Sequence, residues 1–352
     1  MSDQATVAEP PGAPPPTSVV DDRLADVSFM TKLLRRPELG AALAALVVFL
    51  FFALTTDQFG TLDGAANWTD VASTLGIPAV AVALLMIGGE FDLSAGVMTG
   101  SAGLVMGLLA TELDMNIWLA IVLTFVFAAT VGFINGMMVV KTKLPSFIVT
   151  LATFFILQGA NLGVTKEITG TVRVGGLGEV SGFQSAFDVF GGSFSTYDFR
   201  LTVIWWIVIT IVATWVLART RVGNWIFGVG GDATAARNVG VPVARVKIGL
   251  FMTTSLAAAL VGIMVALRLS SVQAGQGVGE EFNYIIAAVV GGCLLTGGYG
   301  SAIGALIIGM AFIGISFSGW DTDWRFLFLG VILLLAVLVN NIVRRSAEGA
   351  RK

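Results

Sequence analysis

The sequence contains no histidine and a single cysteine, Cys293. A histidine-based triad, a histidine metal site, a histidine proton relay, an intrachain disulfide and a cysteine metal cluster are therefore all excluded. Charge is scarce as well. Asp, Glu, Lys and Arg make up 12% of the chain, against roughly 25% in an ordinary soluble domain. The net charge of −3 provides no basic balance for nucleic acid. None of the six lysines follows a glycine, so the chain lacks a P-loop, in which glycine immediately precedes the lysine. What fills the sequence is apolar: 56% of residues are hydrophobic and the mean hydropathy is +0.88. A soluble protein must keep a wettable outside, so a soluble enzyme and a soluble binding module are excluded. The chain reads as an all-α polytopic membrane protein.

A helix needs about 20 mostly apolar residues to cross a bilayer. Charge-free runs of about that length cover 39–56, 71–89, 93–111, 115–140, 144–165, 201–218 and 248–267. The 39 residues 282–320 carry no charge and are long enough for two spans, with TGGYGS at 296–301 as the natural break. A last run covers 326–343. About ten transmembrane helices are predicted. With both termini in the cytoplasm, 15 of the 20 basic residues fall inside, as the positive-inside rule requires. The outer loops then hold acids, among them Asp57, Asp63, Asp70, Glu280, Glu281 and Asp321.

The organisation follows. Residues 1–22, rich in Pro and Ala, read as a disordered cytoplasmic tail without a signal-peptide core. Residues 23–37 suit a basic amphipathic helix on the inner leaflet. The transmembrane domain spans 38–345, with a long outer loop at 166–200 and a basic inner loop at 219–247. Residues 346–352 form a short cytoplasmic tail. GVGG at 228–231 lies in that inner loop with no strand before it, which argues against a dinucleotide site. Four Gly-x-x-x-Gly pairs, Gly96/Gly100, Gly132/Gly136, Gly159/Gly163 and Gly300/Gly304, allow close helix crossing.

Three segments carry the functional signal. GGEFDLSAG at 88–96 puts Glu90 and Asp92 between apolar runs, where charge is costly and points to function. Asp92 and Ser94 equally suit the cap of the next helix. In 141–163, Thr150, Phe154, Gln158 and Asn161 fall within about an 80° arc of a helix. Such a stripe could meet a polyhydroxylated solute or hydrogen-bond to neighbouring helices. In 228–247, Asp232 suits the cap of a short helix that Gly240 ends, with Pro242 following. A short helix there is a docking element or a stiff connector.

Taken together, these segments resemble the permeases of ribose, xylose and galactose ABC importers, the branched-chain-type permease family. GGEFDLSAG is similar to that family's GIDLSVG signature. LPSFIVTLATFFILQG at 144–159, GVGGDATAARNVGVPVARVK at 228–247 and GGCLLTGGYGSAIGALIIG at 291–309 are similar to three further family segments, in the same order. The chain departs from the pattern at Glu90, where an apolar residue is common, and at Ala152, where Gly is. The resemblance implies the type II-like importer permease fold and a multi-pass protein of the bacterial inner membrane. It implies a monosaccharide or related polyol as cargo, a second permease subunit forming a homodimer, two ABC ATPase subunits or domains, and an extracytoplasmic sugar-binding protein. ATP and Mg would bind those ATPase partners, and this chain would bind no cofactor. Asp232, Ala235, Ala236, Arg237 and Gly240 become the expected docking residues, and Thr150, Phe154, Gln158 and Asn161 the expected substrate path. Three other readings stay open: the same machinery with a nucleoside, amino-acid or autoinducer-like cargo, an ion-coupled transporter, and a membrane scaffold without transport activity.

Overall fold

The computed structural model describes residues 37–292 and 303–349. The 1–22 tail, nearly all of the 23–37 segment, the TGGYGS break, Cys293, Gly300 and residues 350–352 lie outside the described residues. Thirteen α-helices are present among those described. In chain order they are α1 (Pro37–Thr55), α2 (Leu62–Ile87), α3 (Ala95–Thr111), α4 (Ile117–Thr142) and α5 (Ser146–Thr169), then α6 (Phe183–Phe190), α7 (Leu201–Arg219), α8 (Arg221–Gly231) and α9 (Ala233–Asn238). They continue with α10 (Val243–Leu269), α11 (Glu280–Val290), α12 (Gly304–Phe317) and α13 (Trp324–Gly349). Two short strands, β1 (Arg173–Val174) and β2 (Val272–Gln273), pair antiparallel. Five helices (α2, α4, α5, α7 and α10) are long and apolar enough to cross a membrane, and α1, α3, α12 and α13 contain shorter apolar stretches. The chain is a polytopic helical membrane protein.

Local sequence sets the helix ends. Thr61 caps α2 by accepting from Gly64 N, and Asn116 caps α4 by accepting from Trp118 N, each satisfying a donor that the first turn leaves free. Left-handed Gly170 ends α5, where glycine carries no Cβ penalty. The α2 span starts earlier than its charge-free run, because Asp63 and Asp70 sit within its first turns.

Helices α2 and α10 form the centre. Both are hydrophobic nearly all round and largely buried, as expected of helices enclosed by others. They run antiparallel and are tied at both ends by ion pairs. Arg268 Nη1 donates to both carboxylate oxygens of Asp70, at 2.8 and 2.7 Å, at the outer end. Lys247 pairs with Glu90 at the inner end. Helix α4 closes on α10 through Gly132 and Gly136, where an added Cβ would lie 2.7 Å from the backbone of Met252 and Ile248. Gly159 and Gly163 on α5 have no neighbour within reach of an added Cβ. Accordingly, Gly136→Val is expected to destabilise the fold by about 1–3 kcal/mol through overpacking. Gly163→Val is expected to leave the fold of the single chain intact. Thermal unfolding of the two purified variants reads the difference.

One predicted span is corrected. The run from 282 does not begin a full crossing. After α10 the chain turns inward: β2 lies beside Gly103 of α3, and residues 274–279 continue along α3 past Gly100 towards Gly96. Only there does α11 begin, and its 11 residues rise about 16 Å, roughly half the hydrocarbon thickness. Glu280 and Glu281, expected in an outer loop, stand against α3 instead, and Glu281 is 3% exposed. Non-helical backbone at such depth is tolerated where protein surrounds it. The loop after α5 carries β1, a 3-10 turn at Leu177–Glu179 and α6. Leu177, Ala186 and Phe190 pack with Ile117 and Leu267. At the other end, α13 runs on to Gly349, into the stretch read as a C-terminal tail.

Candidate functional site

The turn joining α2 to α3 is built by glycine and held by hydroxyls. Gly89, with φ +84°, reverses the chain. Phe91 N donates to Ser146 Oγ and Leu93 N to Thr150 Oγ1, both at 3.0 Å. Asp92 Oδ1 accepts from Ser94 N at 2.8 Å and from Ser94 Oγ at 2.6 Å. Asn135 Nδ2 donates to Ser94 Oγ at 3.1 Å, and Thr153 Oγ1 donates to Asn135 Oδ1 at 2.6 Å. Asp92 therefore organises the turn, whereas the Ser94 side chain makes no capping bond to α3. Glu90 is buried and meets Lys247 of α10.

This geometry separates the four residues of the α5 stripe. The Thr150 hydroxyl is committed to the turn, accepting from Leu93 N and donating to Ser146 O. Phe154 packs with Val97, Met98 and Leu157. Asn161 is buried and Gln158 is half-buried. None of the four lines the cavity described below.

The inner loop forms two helices. Thr220 caps α8 by accepting from Gly223 N. Asp232 caps α9, its Oδ1 accepting from Thr234 N at 2.8 Å and Ala235 N at 3.0 Å. These two donors, Ala235 N foremost, hold its carboxyl below the usual carboxylate range. The cap contributes above the ordinary carboxylate pKa and is lost as pH falls through the lowered one. Gly240, with φ +88°, ends the segment. Ala235 and Arg237 are exposed on α9, and so are Asp232 and Gly240 at its ends. Ala236 is not: its methyl is buried among Val229 and Val243. Ala236 therefore anchors the helix to its own chain. Val239, 81% exposed, is the apolar side chain that this face offers instead. The loop bears on the turn directly. Gly230 lies against the Ile87 carbonyl with no room for a Cβ, and α8 packs on both α2 and α10.

A cavity of about 340 Å³ opens between α2, α3, α10, α11, α12 and α13, with apolar walls from Val71, Leu75, Val261, Val265 and Ile313. Its polar lining is Thr74, Thr99, Gln276, Glu280, Tyr284, Ser316 and Arg325, with the Phe312 ring beside them. Thr99 Oγ1 and Tyr284 Oη are hydrogen-bonded at 3.2 Å. Asn283 Nδ2 donates to Glu280 Oε2 at 2.9 Å. The Arg325 guanidinium carbon stands 5.4 Å from the centre of the Phe312 ring, an attractive cation–π arrangement. Pro78 lacks an N–H, so the Thr74 carbonyl, four residues earlier, has no intrahelical donor there. The wall depends on glycine. At Gly96 an added Cβ would collide with Glu281 and the Gly277 carbonyl, and at Gly100 with the Gln276 carbonyl.

Sequence reading missed Gln276, Glu280 and Tyr284. The available signal was AGQGVGEEFN at 274–283, alternating glycines before two acids at the start of a short apolar run. Such interruptions mark midplane sites in transporters. Among the described residues no group of His, Cys, Asp and Glu could hold a metal ion.

Apolar helices around a cavity with polar groups, and a helical loop packed against the inner turn of the central helix, suit a membrane permease. The chain belongs to the family described as branched-chain amino acid transport system / permease component, which matches residues 64–337. It is 30% identical to the "Probable ABC transporter permease protein YphD" of Escherichia coli K12, over 90% of this chain and 92% of that one. It is 30% identical to the ribose import permease protein RbsC of the same strain, over 85% and 92% of the two chains. Identity to the fructose import permease protein FrcC of Rhizobium meliloti is 29%, over 86% and 87%. No solved structure is a significant match.

Proposed function

We propose that this chain is the membrane-spanning subunit of an ATP-driven importer that brings a monosaccharide or related polyol into the bacterial cytoplasm. The observation that carries the reading is the cluster of polar groups in the cavity of a permease similar to proteins named for ribose and fructose import. Its carboxylate, amide and hydroxyls match the donors and acceptors of a polyol, and the Phe312 ring offers a face for C–H groups. The chain is the path and not the motor. ATP and Mg would bind two ABC ATPase subunits or domains beneath the inner membrane. A sugar-binding protein would deliver cargo from outside, and a second copy of this chain would complete the pore as a homodimer.

Coupling would enter through α9. Movement of the docked ATPase would press on α8 and Gly230, and through them on Ile87 and the Glu90–Lys247 pair, shifting the equilibrium between inward-open and outward-open states. Gentle detergent purification from the native host, with mass spectrometry of the retained chains, tests the assembly. A P-loop ATPase at one copy per permease is expected, and a folded permease recovered alone would refute it. Ala235→Glu and Val239→Glu are each expected to lower ATPase retention at least about fivefold, the size of an interface contact worth more than about 1 kcal/mol. Membrane insertion should be unaffected, and full retention in both variants would remove α9 from the interface.

A further inference from the structure

A second cavity, of about 410 Å³, is unlike the first. Val80 and Leu84 of α2 contribute to it, Val212 and Val216 come from α7, Ile226 from α8, and Arg245 and Gly249 from α10. Its lining is almost wholly apolar. The one hydroxyl of its wall, that of Thr253, already donates to the Gly249 carbonyl at 2.8 Å. The lining positions on α10 run from Arg245 to Ala257. Twelve residues of helix rise about 18 Å, close to the roughly 15 Å depth of one leaflet's hydrocarbon. The cleft thus extends from mid-membrane to the cytoplasmic surface, along α7, which buries only Thr202 and Ala213.

Charge collects only at its inner end. Arg245 lines the cleft. Arg219 and Arg221 flank the α7–α8 elbow, next to the lining residue Val222. All three arginines are exposed and none makes an ion pair among the described residues. A sugar finds no hydrogen-bonding partners in such a cleft. A single acyl chain of leaflet length fits it, with an anionic headgroup at the arginines.

We propose that this cleft is a binding site for an anionic phospholipid of the cytoplasmic leaflet. One acyl chain lies between α7 and α10 over α2, and the phosphate meets Arg245. The occupant would bear on α8, and so on the loop that carries α9. This site is separate from the transport cavity and does not depend on the cargo.

The test is native mass spectrometry of the full-length permease in detergent, titrated with phosphatidylglycerol or with phosphatidylcholine of the same acyl chains. Phosphatidylglycerol is expected to bind more tightly by about fivefold for each arginine engaged. Gly249→Leu should abolish retention of both lipids, because Gly249 faces open space that a side chain would fill. Val212→Trp should do the same from the opposite wall. Val212 is exposed, so this variant carries the test if Gly249→Leu fails to fold. Arg245→Gln should lower the preference for phosphatidylglycerol about fivefold. Equal binding of both lipids by the unmodified protein, or undiminished phosphatidylglycerol binding in the folded cleft-filling variants, would overturn the proposal. So would an Arg245→Gln variant that keeps its lipid preference but loses ATPase retention, since the arginine would then belong to the ATPase interface.

Discussion

Lys247→Met is expected to destabilise the permease by up to about 3 kcal/mol, because it leaves the Glu90 carboxylate buried without its cation. The Glu90 side chain is 9% exposed and that of Lys247 21%. Lys247 thus reaches some solvent, which places the loss at the lower end of what breaking a buried pair costs. The double variant Glu90→Met, Lys247→Met should recover most of the lost stability, since it removes both desolvation penalties together. Thermal unfolding of the two single variants and the double variant forms the cycle that isolates the pair. The double variant should also transport poorly for its stability, because α10 would no longer be tied to the turn after α2. Additive losses in the cycle would show that the two charges are independent and would remove this link.

Glu280→Gln is expected to lower sugar uptake by about 10–100-fold, the factor corresponding to the roughly 1.5–3 kcal/mol of a hydrogen bond to a charged acceptor. The substitution keeps the shape of the side chain and its place at the start of α11. ATPase retention should be unchanged, because the cavity and the exposed α9 face are built from different residues. Gln158→Ala serves as the comparison. That residue lies outside the cavity lining, and its uptake should match the unmodified protein. Uptake proportional to intact protein in reconstituted vesicles reads both. A loss confined to Gln158→Ala would return the path to the α5 stripe.

Most spans were legible because the physics that defines them is local. Twenty apolar residues between charges suffice to mark a crossing, and α4, α5, α7 and α10 fall on their predicted runs to within a few residues. The α9 cap was legible for the same reason, since Asp232 serves donors two and three residues away. What the local pattern did not show depends on distant partners. Thr150 could have met a solute, but its partner is Leu93 of another helix junction. Ala235 and Ala236 are adjacent in a six-residue helix, too short for periodicity to tell the packed face from the free one. Glu280 and Glu281 looked like loop acids because a charge count places charge outside the membrane. The Gly96 and Gly100 notches that let them lie along α3 are visible only once the helices are placed.

This chain is expected to move sugar only when an ATPase acts on its inner loop. Uptake of radiolabelled monosaccharides into vesicles tests it most directly, with the permease reconstituted beside its ATPase and binding protein. Uptake is expected to require internal ATP and to persist when ionophores collapse the proton and sodium gradients. Uptake that continues without ATP and vanishes with the ion gradient would contradict the account. It would recast Glu280, Glu281 and Asp92 as the ionisable groups of an ion-coupled carrier.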